Sequence, residues 1–505
     1  MNVPTLRMSI VIIWVSFGWV LVAQCAESTS DNFQDVLALA GIDREALSVL
    51  PSNSDFTIDD WQILARLVYR LQQFPPNRLE HWATVDDRST REDSTDAHLG
   101  QLLAITATVE SIEQIDPPEG ISSESVLPKL YRCRFRMANG SEQGAVLVPA
   151  IPKAWKNREI SQEPVGFFGV RIGAASSNSD ELGLLLTNHL AWYPRKNVST
   201  GKLLLAHRGM DVSLLDEVKQ RQPFVKPEIS REGEAFYETL AALAAVDRKE
   251  LDGLAKQNVQ ATAERWREKG PALRQRESEL RQELTAAQDP TERKTLEQKV
   301  KATRRALAIA ALIEKQAEWN VSCVAPLFLY PNEQVGELVR IEGMARRAVR
   351  IEITDGTLLP PSIDRTGLDA YYELEVFTSD SQNLPVVCCI PELPTGFPVG
   401  DKISEQVRVN GVFFKSWRYR TRKNLAAPGE TEQQQRMYTP VVIGGVPTWL
   451  RATTTSQSPW GMWGGIAFLV LLIVFWFTMF SLAERDRRRR AAMQPNQLED
   501  FPTEQ

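Results

Sequence analysis

The chain is 505 residues long, 43% hydrophobic and 24% charged, with a formal net charge of −6. These proportions exclude a wholly disordered chain, and the length allows two to four domains. The negative balance supplies no general attraction to polyanions, which disfavours nucleic acid as a partner.

Arg7 precedes an apolar run from Met8 to Val22, and Ala23-Gln24-Cys25-Ala26 follows with small residues. A positive start, an apolar centre and a small-residue site form the pattern of a signal peptide, expected over residues 1–25, with an uncleaved anchor as the alternative. Acylation of Cys25 is disfavoured because Gln24 stands where a small residue is needed. Export would permit disulfides, yet Cys133, Cys323, Cys388 and Cys389 are too few for a stapled scaffold. One bridge, for example Cys323 with either member of the adjacent pair, competes with buried free thiols.

Downstream, the chain repeats itself. Gly41-Ile-Asp43 resembles Gly209-Met-Asp211, and the stretch around Leu79 resembles that around Leu251. Gly100 to Val109 resembles Gly336 to Ala345, Tyr131 to Phe135 lies against Tyr372 to Val376, Ile151-Pro152 against Ile390-Pro391, and Gly169-Val170 against Gly411-Val412. Order and spacing persist, so two copies of one unit are expected, each a helical lead followed by a β-rich module. The leads span 31–84 and 209–320, the modules 100–195 and 336–450, and the second lead carries a helical insertion.

Alternating apolar residues predict five strands per module. In the first they are Leu102 to Gln114, Tyr131 to Met137, Ala145 to Ile151, Val165 to Ile172 and Leu184 to Trp192. In the second they are Leu338 to Ile353, Ala370 to Thr378, Leu384 to Ile390, Val407 to Trp417 and Val441 to Trp449. Five strands with a connector between the third and fourth, Pro152 to Pro164 and Pro391 to Glu405, resemble an OB-fold in architecture; an SH3-like or other small barrel is the competing reading.

Arg231 to Lys269 is expected as one helix stopped by Gly270-Pro271, with a second from Ala272 to Gln288. Asp289-Pro290-Thr291-Glu292 then provides an N-cap, a proline at the first helical position and an acid at the third. Leu296, Val300, Thr303, Leu307, Ala310 and Glu314 step at heptad spacing. An antiparallel hairpin is expected, and a dimerising coiled coil is the sharper alternative.

After a short stalk at 451–459, residues 460–483 read as a transmembrane helix, because Gly464 to Ala483 contains no charge. Trp460 and Trp463 suit one interface. Arg485, Arg487, Arg488, Arg489 and Arg490 follow in a tail, 484–505, which the positive-inside tendency assigns to the cytoplasm, leaving the bulk of the chain extracytoplasmic.

Motifs for chemistry are sparse. His81, His98, His189 and His207 fall in separate segments without metal-ligand spacing, so no metal and no cofactor is expected. Ser199-Thr200-Gly201-Lys202 lacks the outer glycine and the trailing hydroxyl of a phosphate loop. Arg132, Arg134 and Arg136 share one strand face, and Glu373 and Glu375 occupy the matching positions, so one expectation is that these charges meet across the two barrels. Lys415, Trp417, Arg418, Tyr419, Arg420, Arg422 and Lys423 interleave cations with aromatics, which suits anionic lipid or an acidic polymer when the segment lies near a membrane. The fold class expected is α+β: two duplicated units, each a helical lead plus a five-stranded OB-like barrel, with a helical insertion and a C-terminal transmembrane helix. The function expected is a non-enzymatic envelope scaffold that contacts the bilayer and, through its helical insertion, a protein partner or a second copy. An enzyme with a site assembled from distant residues is the alternative.

Overall fold

The computed structural model describes residues 32–51, 55–85, 98–121, 127–138, 140, 142–156, 158–172, 181–224, 230–353, 367–420, 436–451 and 459–492. The expected signal peptide, the connector at 86–97, Arg422, Lys423 and the stalk residues 452–458 lie outside them.

The fold is mixed α+β, with two sheets. The first contains β1 (Thr84–Val85), β2 (Leu102–Ile115), β3 (Leu130–Met137), β4 (Gln143–Val148), β5 (Glu163–Ile172), β6 (Glu181–Leu186) and β7 (Ala191–Trp192). Its order is β1-β2-β3-β4-β6-β5-β7, and β2 also pairs with β5, so five strands close into a ring. Within the ring only β4 and β6 run parallel. The second sheet contains β8 (Leu338–Glu352), β9 (Ala370–Phe377), β10 (Pro385–Ile390), β11 (Glu405–Arg420), β12 (Arg436–Gly444) and β13 (Thr448–Trp449). Its order is β12-β10-β9-β8-β11-β13, β12 closes onto β11, and only β10 and β12 run parallel. Closure leaves no free edge within either ring and lets alternate residues converge on an interior.

The long first strands bend to serve two neighbours. The register of β2 against β3 shifts between Val109 and Ser111, and that of β8 against β9 between Ala345 and Arg347. Such a bulge sharpens the local twist and turns the strand around the ring. The final strands are shorter than the alternation predicts. β6 ends at Leu186 and β12 at Gly444; after a turn, the terminal pairs Ala191–Trp192 and Thr448–Trp449 add to the far ends of β5 and β11 instead.

Inward residues of the second ring form one core, including Ile341, Leu374, Val376, Cys388, Val407, Phe413 and Val442. Outward residues of the same strands, Val387, Cys389, Val412, Phe414, Val441 and Ile443, pack under α5 (Thr200–His207), a 3-10 turn (Val212–Glu217) and α6 (Arg231–Ala244). The first ring repeats this division. Ile105, Cys133, Phe135, Val146, Val165 and Leu185 point inward, while Ala145, Leu147, Val170, Ile172, Leu184 and Leu186 pack under α1 (Phe33–Leu39), α2 (Arg44–Ser48), α3 (Ile58–Gln72) and α4 (Pro76–Trp82). Gly100 and Gly336, each with φ near +80°, lead into β2 and β8 against Leu47 and Leu215 respectively. Asp43 and Asp211 each stand two residues after a left-handed glycine, Gly41 and Gly209, and cap the next helical turn.

The helical insertion differs from expectation at two points. The helix from Arg231 breaks after Ala244, because the Asp247 carboxylate accepts the N–H groups of Lys249 and Glu250 and starts α7 (Arg248–Ala286). Gly270-Pro271 does not stop α7, which continues through Pro271. Packing on both sides of the proline holds the helix together: Val259 and Ala263 meet Ile309, Ile313 and Ala317, and Leu280 meets Leu296 and Val300. The partner is α8 (Pro290–Glu318), with Pro290 at its first position and the Asp289 side chain on the N–H groups of Thr291 and Glu292. The predicted seam therefore faces α7 within the chain, passing through Ile309 and Ile313 in its last turns. Short helices α9 (Ala325–Leu329) and α10 (Pro331–Gln334) lead into β8, and α11 (Pro459–Ala492) ends the described chain. Within α11, Gly465–Arg490 is long and apolar enough to cross a membrane.

Candidate functional site

The basic and aromatic segment that begins at Lys415 starts in the core. β11 shifts register between Phe413 and Lys415, which inserts Phe414 as an extra residue and sets Lys415 opposite Val441 on the outward face, beneath α6. Lys415 is 0% exposed, with Nζ 2.5 Å from Glu232 Oε1 in the first turn of α6 and 4.5 Å from the Phe224 ring. Phe224 stacks on Phe414 and tilts against Trp417, walling the ammonium with aromatic faces. Glu232 also accepts the Lys219 N–H, while Gln220 accepts from Ser416 N–H and donates to the Phe414 carbonyl. Burial pulls the Lys415 ammonium below the ordinary lysine range against the upward pull of Glu232. Lys415 is thus unavailable to an external anion, Ser416 is buried, and Trp417 and Arg418 are half-buried. Tyr419 and Arg420 continue the strand opposite Met437 and Arg436. The partner that changes the meaning of Lys415 lies 183 residues away, beyond any local spacing signal.

One member of each charged row on β3 and β9 is answered within its own sheet. Arg136 pairs with Glu110 at 2.8 Å, and Glu375 pairs with Arg347 at 3.3 Å. Burial raises the Glu373 carboxyl above its usual range. For Arg136 and Glu375 the expected meeting across the barrels gives way to pairing with the neighbouring strand, where side chains on adjacent strands already lie within reach.

His189, Asp211 and Ser213 converge where the first ring meets the second helical lead. His189 Nε2 lies 2.5 Å from Asp211 Oδ2 and 3.2 Å from Ser213 Oγ. The residue types suit a nucleophile relay, but the geometry does not. Hydroxyl and carboxylate approach the same imidazole nitrogen, and Ser213 Oγ also bonds Asp211 and the Leu190 carbonyl. Asp211 instead fastens the junction, accepting the N–H groups of Trp192 and Ser213. Burial alone would raise its carboxyl, but the His189 charge and these hydrogen bonds outweigh burial and hold it below the usual range. Lys153 N–H donates to Asp216 at 2.7 Å beside it. Sequence spacing offered no sign of this cluster.

A cleft of about 190 Å³ lies at the hairpin root, between α7 and the approach to β8. Arg265 on one wall reaches Glu337 on the other at 3.6 Å, Trp266 and Lys269 line its mouth, and Cys323 lies beneath. This volume falls below the roughly 300 Å³ at which small-molecule sites begin. Burial pushes the Cys323 thiol up to about 12, and Cys133 and Cys388 likewise to about 12, so these thiols stay protonated and unreactive at neutral pH. All four described cysteines are free and buried. Among the described residues no group of three or more His, Cys, Asp or Glu side chains has a metal-holding arrangement.

The apolar side chains of α11 from Ile466 to Leu482 are exposed, covered by no other described residue, and Arg485 and Arg487 to Arg490 follow on the same helix, also exposed. Trp460 and Trp463 lie in its first turns. Compared with protein-family models, with curated proteins and with solved structures, the chain matches none.

Proposed function

We propose that this is a single-pass membrane protein whose extracytoplasmic part is a tandem duplication of an OB-like unit, acting as a non-enzymatic scaffold of the cell envelope. The observation that carries it is the recurrence, in both units, of one set of non-local relationships: ring order, bulge position, and a helical lead packed on the same outward residues of the third, fourth and fifth ring strands. The five-strand order with a parallel third–fifth pairing supports the OB-like reading. Both interiors are filled by side chains, and the outer walls are used for packing within the chain, so the rings act as structural blocks. Among the described residues the hairpin of α7 and α8 has no counterpart in the first unit, and Trp319, which follows α8, is 74% exposed. That makes the hairpin the surface for a protein partner. The uncovered apolar stretch of α11, with arginines at its C-terminal end, supports insertion with those arginines in the cytoplasm.

Photocrosslinking from intact membranes tests this reading. A photoreactive residue at Gln275 on the hairpin should give a discrete protein adduct, whereas one at Glu113 on the first ring should not. Equal labelling from both positions, or none from the hairpin, refutes the scaffold role. Reaction of membrane-impermeant maleimide with a cysteine placed at Glu279, but not with one placed at Gln497, is the expected topology result.

A further inference from the structure

The two rings differ at one end. In the first, the end bearing Trp192 is covered by the second helical lead, through Asp211, Ser213 and Asp216, and Trp192 is 2% exposed. In the second, the corresponding end bears Trp449, which is half-buried, and it is met by the ring's own third-to-fourth-strand connector rather than by a helical lead. The turn from Pro394 to Gly400 borders this end. Phe397 N–H donates to the Pro394 carbonyl, the Phe397 ring meets Trp449 at 5.3 Å, and Gly400 exchanges both backbone hydrogen bonds with Ala348. Between these anchors Val399 projects, 56% exposed. Arg451 lies over the Trp449 ring at 4.1 Å and borders Gly396, and Lys402 is exposed beside the turn. Asp401, the acid nearest the turn, is engaged by Arg347 at 3.0 Å.

The chain leaves the ring at this same end. Eight steps separate Arg451 from Pro459, where α11 begins, a reach of under about 30 Å even when fully extended. We infer that the Val399 turn, with Arg451 and Lys402, is a lipid-contact surface that seats the second ring on the membrane holding α11. Val399 enters the headgroup boundary and the two cations meet lipid phosphates, the combination of an apolar wedge and basic residues that favours anionic membrane surfaces. This rests on the membrane reading of α11. A rigid turn suits the role, because its conformation is fixed before contact and ordering it on the membrane costs little.

The test uses the full chain in vesicles of phosphatidylcholine and phosphatidylglycerol containing doxyl-labelled lipid. Val399→Cys, or Val49→Cys on the first unit as a control, carries an environment-sensitive fluorophore in a Cys25→Ser background, where the described cysteines are buried. Doxyl lipid should quench the Val399 label roughly two-fold or more, as expected for a probe at the acyl boundary, and leave the Val49 label unchanged. A Val399→Asp chain labelled at Thr395→Cys should show less quenching than a Thr395→Cys chain retaining Val399. An unquenched Val399 label on a chain that floats with the vesicles overturns the contact while sparing the membrane reading. Equal quenching at both positions also overturns it, as does an unquenched label that instead crosslinks to a second copy. A chain that does not float overturns both.

Discussion

Glu163 accepts the indole N–H of Trp192 at 2.9 Å deep in the junction between the first ring and the second helical lead, and Arg158 completes the arrangement by pairing with Glu163 and lying over the same indole. The second ring has the same relationship between Glu405 and Trp449, at 2.8 Å, with Arg451 over the ring. Each glutamate opens the fourth ring strand, and each tryptophan closes the chain of its unit. The pair pins the last residues of a unit to the barrel end.

Removing that glutamate should therefore matter more in the first unit. Glu163→Ala leaves the buried Trp192 N–H and the Arg158 guanidinium without their acceptor and should cost about 1–3 kcal/mol or more. Glu405→Ala should cost less, because water reaches the half-buried Trp449. Denaturant unfolding of the two variants, with equal slopes, checks the order.

Lys415 and Glu232 should behave as a buried ion pair whose breakage is worse than its replacement. Lys415→Ala strands the Glu232 carboxylate and should destabilise by about 3–5 kcal/mol, whereas the double variant Lys415→Met with Glu232→Leu should recover most of that loss. A double variant no better than Lys415→Ala would mean that the pair is not isolated from water as its burial indicates.

Two carboxylates near the junction should give opposite pH effects. Asp211 is held below its ordinary 3.8, so its stabilisation is complete above that value and is lost as pH falls through the folded-state value. Asp211→Asn should thus lose more stability relative to the parent at pH 7 than at pH 3. Glu234 is raised above 4.5, chiefly by burial. The folded state holds its proton more tightly, so Glu234 favours folding below 4.5 and that benefit is lost as pH rises through the folded value. Glu234→Gln should gain relative to the parent between pH 4 and pH 7. Unfolding midpoints across this range read both effects.

Pro271 interrupts the hydrogen-bond ladder of an otherwise continuous helix. Pro271→Ala restores a donor and should stabilise α7 locally by up to about 3 kcal/mol. Hydrogen exchange should slow in the turn on either side of residue 271, while the rings remain unchanged. Unaltered exchange there would show that packing against α8 already fixes the turn.

The sequence by itself determined the local elements. Alternation located nearly every ring strand to within a few residues, Asp289-Pro290 marked the start of α8, and an uncharged run marked the helix at the end, because these signals depend on backbone geometry and on neighbours a few residues apart. The apparent failures are also physical. Gly270-Pro271 reads as a stop until apolar layers on both sides bind the two halves to α8, and Trp192 reads as part of the fifth strand until the chain turns to pair it with β5. Tertiary structure alone decided the charges. Lys415 and the arginines after it look alike in sequence, but a bulge and a glutamate 183 residues distant carry Lys415 into the core. His189 and Asp211 meet only because a barrel end lands on a helical lead. A side chain's polarity is local, whereas its burial and its partner are properties of the surfaces that folding brings together.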